Sequence, residues 1–512
     1  MKLVTADQMR AIEAAAFAAG ATPEGLMETA GRNVAEAVTR RLGGARAKRI
    51  LILVGPGNNG GDGLVAARYL HDEGADVRVL LLARRAEDAN LVAVRERDID
   101  LIELDEATAG DIVPHNLQRC DAVIDAVLGT GRQRPLEGAV ARTLEALKER
   151  RCPLFAVDLP TGVNADTGAV DEHAAAADVT LTLGYSKLGL HLLPGSNYAG
   201  EVEVLDIGLD PALGDEIDVE IMTSQWAGSA LPRRPLVSNK GTFGRVMVVA
   251  GSESYTGAAT LCCLGALRAG AGLVTLACVS AVRAAVAAQL PEVTFLVQPD
   301  QDGALSPDAA STIARGLGGY DVLLIGPGLG QSPGAQSTVR TLLTLPALTD
   351  VPVVIDADGL NALAHVSGWH ETIVCKAVLT PHPGELGRLT RKRVAEVQSD
   401  RLVVARECAS AWGQTVVLKG AETVIASAEG AIKLSPFANA ALATAGTGDV
   451  LAGTIAGLLA QEVDRFTAAA LGVYLHGAAA ELYADEYGSS GLLAGELGAA
   501  IARAAAALRR GG

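Results

Sequence analysis

At 512 residues the chain exceeds the usual span of one domain, roughly 100 to 200 residues, so it should divide into at least two, each burying its own core. Its residues are 49% hydrophobic but only 3% aromatic, so Ala, Val, Leu and Ile build the cores, which favours helices packed on parallel strands over a β-sandwich. A net charge of −16, with no basic run longer than Arg391-Lys392-Arg393, excludes the electrostatic footprint of a nucleic-acid binder.

In chain order, the first signal is the spacing of Thr5 and Gln8, a capping box that predicts an amphipathic helix at the start rather than a secretory leader. Apolar runs that read as buried strands follow at 50–54, 77–82, 122–127, 154–157 and 202–205, separated by amphipathic stretches in the rhythm of a parallel sheet. From 208 to 238 the pattern weakens around Pro211, Pro232 and Pro235, and a domain boundary is expected there, at 220/221. A second series runs through 245–250, 273–276, 322–325, 353–355, 378–380 and 416–418, and ends in helices from Asp449 onward. The expected fold is therefore α/β in two domains, 1–220 and 221–512. No fixed-period repeat is present, and even the apolar run 450–460, interrupted by Gly453 and Gly457, is too short to span a bilayer. The seven cysteines, at 120, 152, 262, 263, 278, 375 and 408, show neither a C-x-x-C nor a disulfide framework, so reduced thiols and a cytoplasmic enzyme are expected.

In an open parallel sheet ligands bind beyond the carboxyl ends of the strands, so the residues just after each strand carry the chemistry. Three such turns in the first half are polar: Gly55-Pro56-Gly57-Asn58-Asn59-Gly60-Gly61-Asp62-Gly63 opening a helix, Gly129-Thr130-Gly131-Arg132 with Asp125 just before, and Asp158-Leu159-Pro160-Thr161-Gly162. Glycines admit a ligand close to the backbone and helix-start amides suit phosphate. Asn58, Asn59 and Asp62 among the glycines depart from the dinucleotide fingerprint and add oxygen ligands, which suits a cation bound by oxygen. Any one of these turns is equally readable as a tight strand-to-helix connection, and Asp125 or Asp158 alone as a cap.

In the second half Ala445-Gly446-Thr447-Gly448-Asp449 precedes Val450, Leu451, Ile455, Leu458 and Leu459, whose spacing marks one buried helical face. The glycines thus sit at a helix start, where free amides and the helix dipole form an anion hole, with Asp449 placed to act on the group beside a phosphate. No Lys follows the second Gly, so this is not a Walker A loop, and no Gly-x-Ser-x-Gly elbow is present. Further polar strand ends converge: 326–330, 356–359, 380–385 with His382 between two prolines, and Lys419-Gly420-Ala421-Glu422-Thr423. The eight histidines show no paired spacing for zinc.

These motifs carry a resemblance over nearly the whole chain. Residues 1 to about 215, with Asn-Asn-Gly-Gly-Asp-Gly at 58–63, resemble the NAD(P)H-hydrate epimerase domain, a Rossmann-like three-layer αβα sandwich. Residues from about 225 onward resemble the ADP-dependent NAD(P)H-hydrate dehydratase, a ribokinase-like α/β domain, on Lys240 to Gly244, Thr256-Gly257-Ala258, Gly326 to Gly330, Asp356 to Asn361, Thr380 to Glu385 and Ala445 to Asp449. Fused in this order they are similar to the bifunctional nicotinamide nucleotide repair family.

The resemblance implies that the first domain binds the hydrate through Asn58, Asn59, Gly60, Gly61, Asp62, Gly129, Thr130, Gly131, Arg132, Gln133, Arg134, Pro135 and Asp158. It also implies K+ held by Asn59, Asp125 and Thr161, a position where members often carry Ser. In the second domain it implies ADP at Lys419, Gly420, Ala421, Glu422, Thr423 and Gly448, with Mg2+, and the hydrate near Ala258, Gly328, His382 and Asp449. Asp449 would be the catalytic base of dehydration and Asp158 the acid/base of epimerisation. The implied partners are the hydrates NADHX and NADPHX and the nucleotide ADP, with AMP and phosphate as products; a homo-oligomer is expected and no nucleic acid or membrane. A ribokinase-like vitamin or sugar kinase is the nearest rival, and a non-catalytic ligand-sensing first domain another.

Overall fold

The computed structural model describes residues 1–131 and 135–511 and divides the chain into two compact units, Met1–Val219 and Glu220–Gly512. In the first unit the strands Asp100–Glu103, Asp76–Leu81, Arg49–Val54, Ala122–Ala126, Leu154–Val157, Val179–Leu183 and Glu201–Leu205 lie side by side in that order. All are parallel. Successive residues of a strand face opposite sides, and here they feed two cores: Ile50, Ile52, Val54 and Ile124 pack with Val34 and Leu64 on one face, while Leu51, Leu53 and Val123 pack with Val113 and Leu144 on the other. The three-layer sandwich follows from that alternation. Strands Asp100–Glu103 and Val179–Leu183 lie outside the five apolar runs read from the sequence; the first has two half-buried residues between exposed ends and lacks their apolar signal.

The expected capping box is present, with the Thr5 side chain accepting from Gln8 N–H at the start of the helix Ala6–Ala18. The preceding Leu3–Val4 pairs with Ser186–Lys187, which carries Lys187 into the interior.

The second unit has a ten-stranded sheet whose central strands Thr415–Leu418, Ala377–Leu379, Val353–Ile355, Val322–Ile325, Arg245–Val249, Leu273–Cys278 and Thr294–Val297 are parallel neighbours in that order. Val424–Ala426 and Ile432–Leu434 continue it antiparallel, and Val219–Ile221, inside the Pro-rich stretch, forms the edge. The helix Thr447–Leu459 starts at Gly446, but it is buried all round from Val450 to Leu459 rather than along one face. Its glycines explain this: a Cβ on Gly453 would stand 2.1 Å from Cys262 O, and one on Gly457 2.6 Å from Ala266 O, so the helix Thr256–Ala269 packs backbone to backbone against it. Among the described residues no helix is long and apolar enough to cross a membrane.

Candidate functional site

In each unit the order of strands reverses direction at one point, between Arg49–Val54 and Ala122–Ala126 in the first and between Arg245–Val249 and Val322–Ile325 in the second. A crevice opens where connections leave to opposite faces, and the first unit's polar turns stand there; in the second unit the polar turns follow the strands from Val322–Ile325 across to Thr415–Leu418.

The first site is a cavity of about 810 Å³. Asn58, Asn59, Asp62, Gly129, Thr130, Gly131, Pro135 and Asp158 line it, so turns from three strands meet as expected. Gly60 and Gly61 do not: a Cβ on Gly60 would lie 2.1 Å from Gly55 O, and one on Gly61 2.5 Å from Met27 Sδ, so these glycines serve close packing of the chain on itself. Arg132, Gln133 and Arg134 lie outside the described residues.

Asp158 has φ +67°, a strained backbone for a non-glycine residue of the kind kept at functional sites. Its Oδ1 accepts from Lys187 Nζ and from Leu183 N–H at 3.2 Å, while Oδ2 stands 3.4 Å from where a Gly129 Cβ would be. One oxygen is thus pinned, the other beside the cavity wall. Lys187 is 1% exposed and also donates to Leu183 O at 2.8 Å. The sequence reading missed it, because its strand is two residues long; the one signal was a lysine inside the largely apolar stretch after 179. Glu13, from the first helix, also lines the cavity. Burial raises its carboxyl above the usual range, Lys187 opposing.

Asp125 is fully buried at the end of its strand, accepting from Thr161 N–H at 2.9 Å and Thr161 Oγ1 at 2.8 Å; burial raises its pKa, these bonds opposing. Both side-chain polar atoms of Asn59 are buried without a hydrogen-bond partner. A buried amide left so costs about 1–3 kcal/mol unless something occupies its oxygen, and an oxygen-liganded cation meets that need. Among the described residues no cluster of three His, Cys, Asp or Glu is arranged for a metal ion.

The second site centres on Gly446–Asp449. Gly446 caps the helix at φ +92° without a side-chain bond, and while Thr447 N–H donates to Thr444 O at 3.4 Å, the Gly448 and Asp449 amides are left free. A Cβ on Gly448 would meet only Lys419 Nζ, at 3.4 Å, so the ammonium stands beside this turn. Lys419 donates to Asp356 Oδ1 at 2.7 Å and lies 3.8 Å from Glu385 Oε2, and Thr380 Oγ1 donates to Asp356 Oδ1 at 2.8 Å. Asp356 and Glu385, unassigned from sequence, are therefore its counter-ions. The Asp449 carboxyl takes no hydrogen bond from a described residue, and burial first, then the Asp356 charge, pushes its pKa up to about 7, with Lys419 opposing. His476 Nε2 lies 2.9 Å from Thr447 O and is held neutral by burial, at about 4.

His382 caps a helix. Its Nδ1 accepts from Gly384 and Glu385 N–H, capping the helix Pro383–Thr390, while half of the side chain stays exposed. Ala258 and Gly328 are adjacent, a Gly328 Cβ falling 2.8 Å from Ala258 Cβ. Lys419 to Thr423 form the turn joining Thr415–Leu418 to Val424–Ala426, with Gly420 at φ +143° and Glu422 at +53°. Cys120 and Cys152, 32 residues apart, bring their Sγ atoms to 3.3 Å.

A family model described as NAD(P)H-hydrate dehydratase matches residues 246–503, and one described as YjeF-related protein N-terminus matches 23–189. The chain is 41% identical over 517 residues to a bifunctional NAD(P)H-hydrate repair enzyme of Moorella thermoacetica, covering 97% of this chain and 95% of that one. It is 35% identical to that of Escherichia coli, covering 89% and 85%. A solved ADP/ATP-dependent NAD(P)H-hydrate dehydratase of Bacillus subtilis, crystallised with ATP and Mg2+, is 36% identical with a TM-score of 0.50, spanning 57% of this chain and 99% of that one.

Proposed function

The chain belongs to the bifunctional NAD(P)H-hydrate repair enzymes, catalysing epimerisation and dehydration of hydrated NAD(P)H, and from that membership we propose how its residues divide the work. The first unit interconverts the R and S hydrates, and the second dehydrates the S form with ADP, giving AMP and phosphate. The observation that carries this is Asp449: an unpartnered carboxyl beside the free amides of a helix start, with the Lys419 ammonium against the same turn.

Hydroxide is a poor leaving group, but once phosphorylated the ring oxygen leaves as phosphate while the neighbouring carbon gives up a proton and the ring double bond is restored. With pKa about 7, Asp449 is matched to take the hydroxyl proton near neutral pH as the oxygen attacks the terminal phosphorus. Negative charge gathering on the transferring group meets the Gly448 and Asp449 amides and Lys419, which stabilise it most where charge is greatest. Lys419 to Thr423 and Gly448 hold the nucleotide; Ala258, Gly328, His382 and Asp449 face the hydrate. Mg2+ carried by the nucleotide would supply charge neutralisation at the phosphates.

In the first unit the orphaned Asn59 amide, with Asp125 and the Thr161 hydroxyl nearby, fits K+, whose chemistry is to fix the turns that carry Asn59 and Thr161. Asn58, Asn59, Asp62, Gly129, Thr130, Gly131, Pro135 and Asp158 enclose the hydrate, and Asp158 is the acid/base.

The test is dehydration of purified S hydrate with ADP, followed by the absorbance of the restored dihydronicotinamide. A stable phosphorylated product and no such signal would leave a small-molecule kinase instead.

A further inference from the structure

We propose that Asp62 is a catalytic residue of epimerisation, the general acid that partners Asp158; this rests on the epimerase reading of the first unit. Hydration of the ring double bond next to nitrogen places the hydroxyl on the carbon beside that nitrogen. One route to inversion has the hydroxyl leave from one face and water add from the other, and two proton-handling groups, one for each oxygen, serve it.

The cavity offers Asp158, with Oδ1 bound by Lys187 and Leu183 and Oδ2 toward the Gly129 wall. It also offers Asp62, on the helix Asn58–Asp72, 7% exposed and accepting no hydrogen bond from a described residue. The two carboxyls differ in kind: one is paired with an ammonium, the other buried with no partner. Burial first, then the charges of Asp158 and Glu13, raise the Asp62 pKa well above the carboxylate range, with Lys187 and Arg85 opposing, a direction that suits an acid. Arg85 is already committed to Asp88 and the carbonyls of Gly55 and Gly57.

In the step, Asp62 protonates the hydroxyl, the carbon–oxygen bond breaks with release of water, and the nitrogen lone pair closes a carbon–nitrogen double bond. Water adds to the opposite face, forming the new carbon–oxygen bond and giving its proton to Asp158. Asp62 ends as carboxylate and Asp158 as acid, so the reverse reaction runs with the roles exchanged.

The experiment follows interconversion of the purified R hydrate by chromatography with ADP omitted, so that the second unit is silent. Asp62→Asn is near-isosteric and removes the carboxyl proton that the step transfers. It should lose about 10²–10⁴-fold in kcat with little change in KM. Its melting and its ADP-dependent turnover of the S hydrate should stay at wild-type values, which separates lost chemistry from lost fold. Undiminished interconversion by Asp62→Asn would overturn the assignment, as would loss in Glu13→Gln with none in Asp62→Asn. If the wild-type chain itself fails to interconvert the hydrates, the epimerase reading falls first and this assignment with it.

Discussion

Replacing Gly448 by Ala should move stability and activity in opposite directions. The added Cβ meets nothing closer than Lys419 Nζ at 3.4 Å, an ordinary contact with a flexible side chain, and Gly448 is in a right-handed helical turn. Gly to Ala in a helix interior is worth roughly 0.5–1 kcal/mol, less in a first turn, so the melting point should hold or rise slightly. The same methyl, however, stands between the first-turn amides and Lys419, where the phosphate must lie. Removing one donor from a preformed anion hole costs about 2.7–4 kcal/mol, or 10²–10³ in kcat. The assay pairs ADP-dependent dehydration with calorimetry, watching the transition that ADP raises in the wild type, and uses epimerisation as the control. Gly446→Ala supplies the contrast: at φ +92°, with its Cβ 2.5 Å from Leu261 Cδ1, it should lose stability and activity together. Undiminished turnover by Gly448→Ala, or inactivity accompanied by lowered melting, would refute the placement of phosphate on this turn.

With Asp449 raised to about 7 and needed as base, kcat for dehydration should fall as pH drops below about 7, and Asp449→Asn should abolish it while ADP still binds. A carboxyl whose folded pKa is raised favours the fold while protonated, so its contribution is full below about 4 and lost by about pH 8. Asp449→Asn should therefore gain stability over wild type at pH 8, on the order of a few kcal/mol, with the gain shrinking toward pH 4 in thermal melts. Lys187→Met strands the Asp158 charge and should cost about 3–5 kcal/mol in denaturant unfolding, of which Lys187→Met with Asp158→Asn should recover a large part. Thr161→Val removes the hydroxyl bonded to Asp125 and should raise the K+ concentration needed for half-maximal epimerisation; a response to K+ like that of the wild type would remove Thr161 from that site.

Much of both sites was legible because strand-end turns are local. Asn58 to Gly63 had to open a helix after an apolar run, and Gly446 to Asp449 had to start one, since glycines followed by a continuous apolar stretch leave few other conformations. Their chemistry was legible too: oxygen ligands among glycines in one place, amides with a carboxylate in the other. Residues whose meaning lies in a partner distant in sequence were not. Lys187 reaches Asp158 from a two-residue strand paired with Leu3–Val4, and Lys419 finds Asp356 across 63 positions, neither of which any local pattern encodes. Nor could spacing tell that Gly60 and Gly61 fill space against Gly55 and Met27, or that the helix after Asp449 would be buried on every side. Local sequence thus determined which turns carry glycine, amide and carboxyl. The order of strands gathered those turns at the carboxyl ends of two sheets, and burial there raised the pKa of Asp62 and Asp449, because desolvation depends on everything packed around a group and not on its neighbours in the chain.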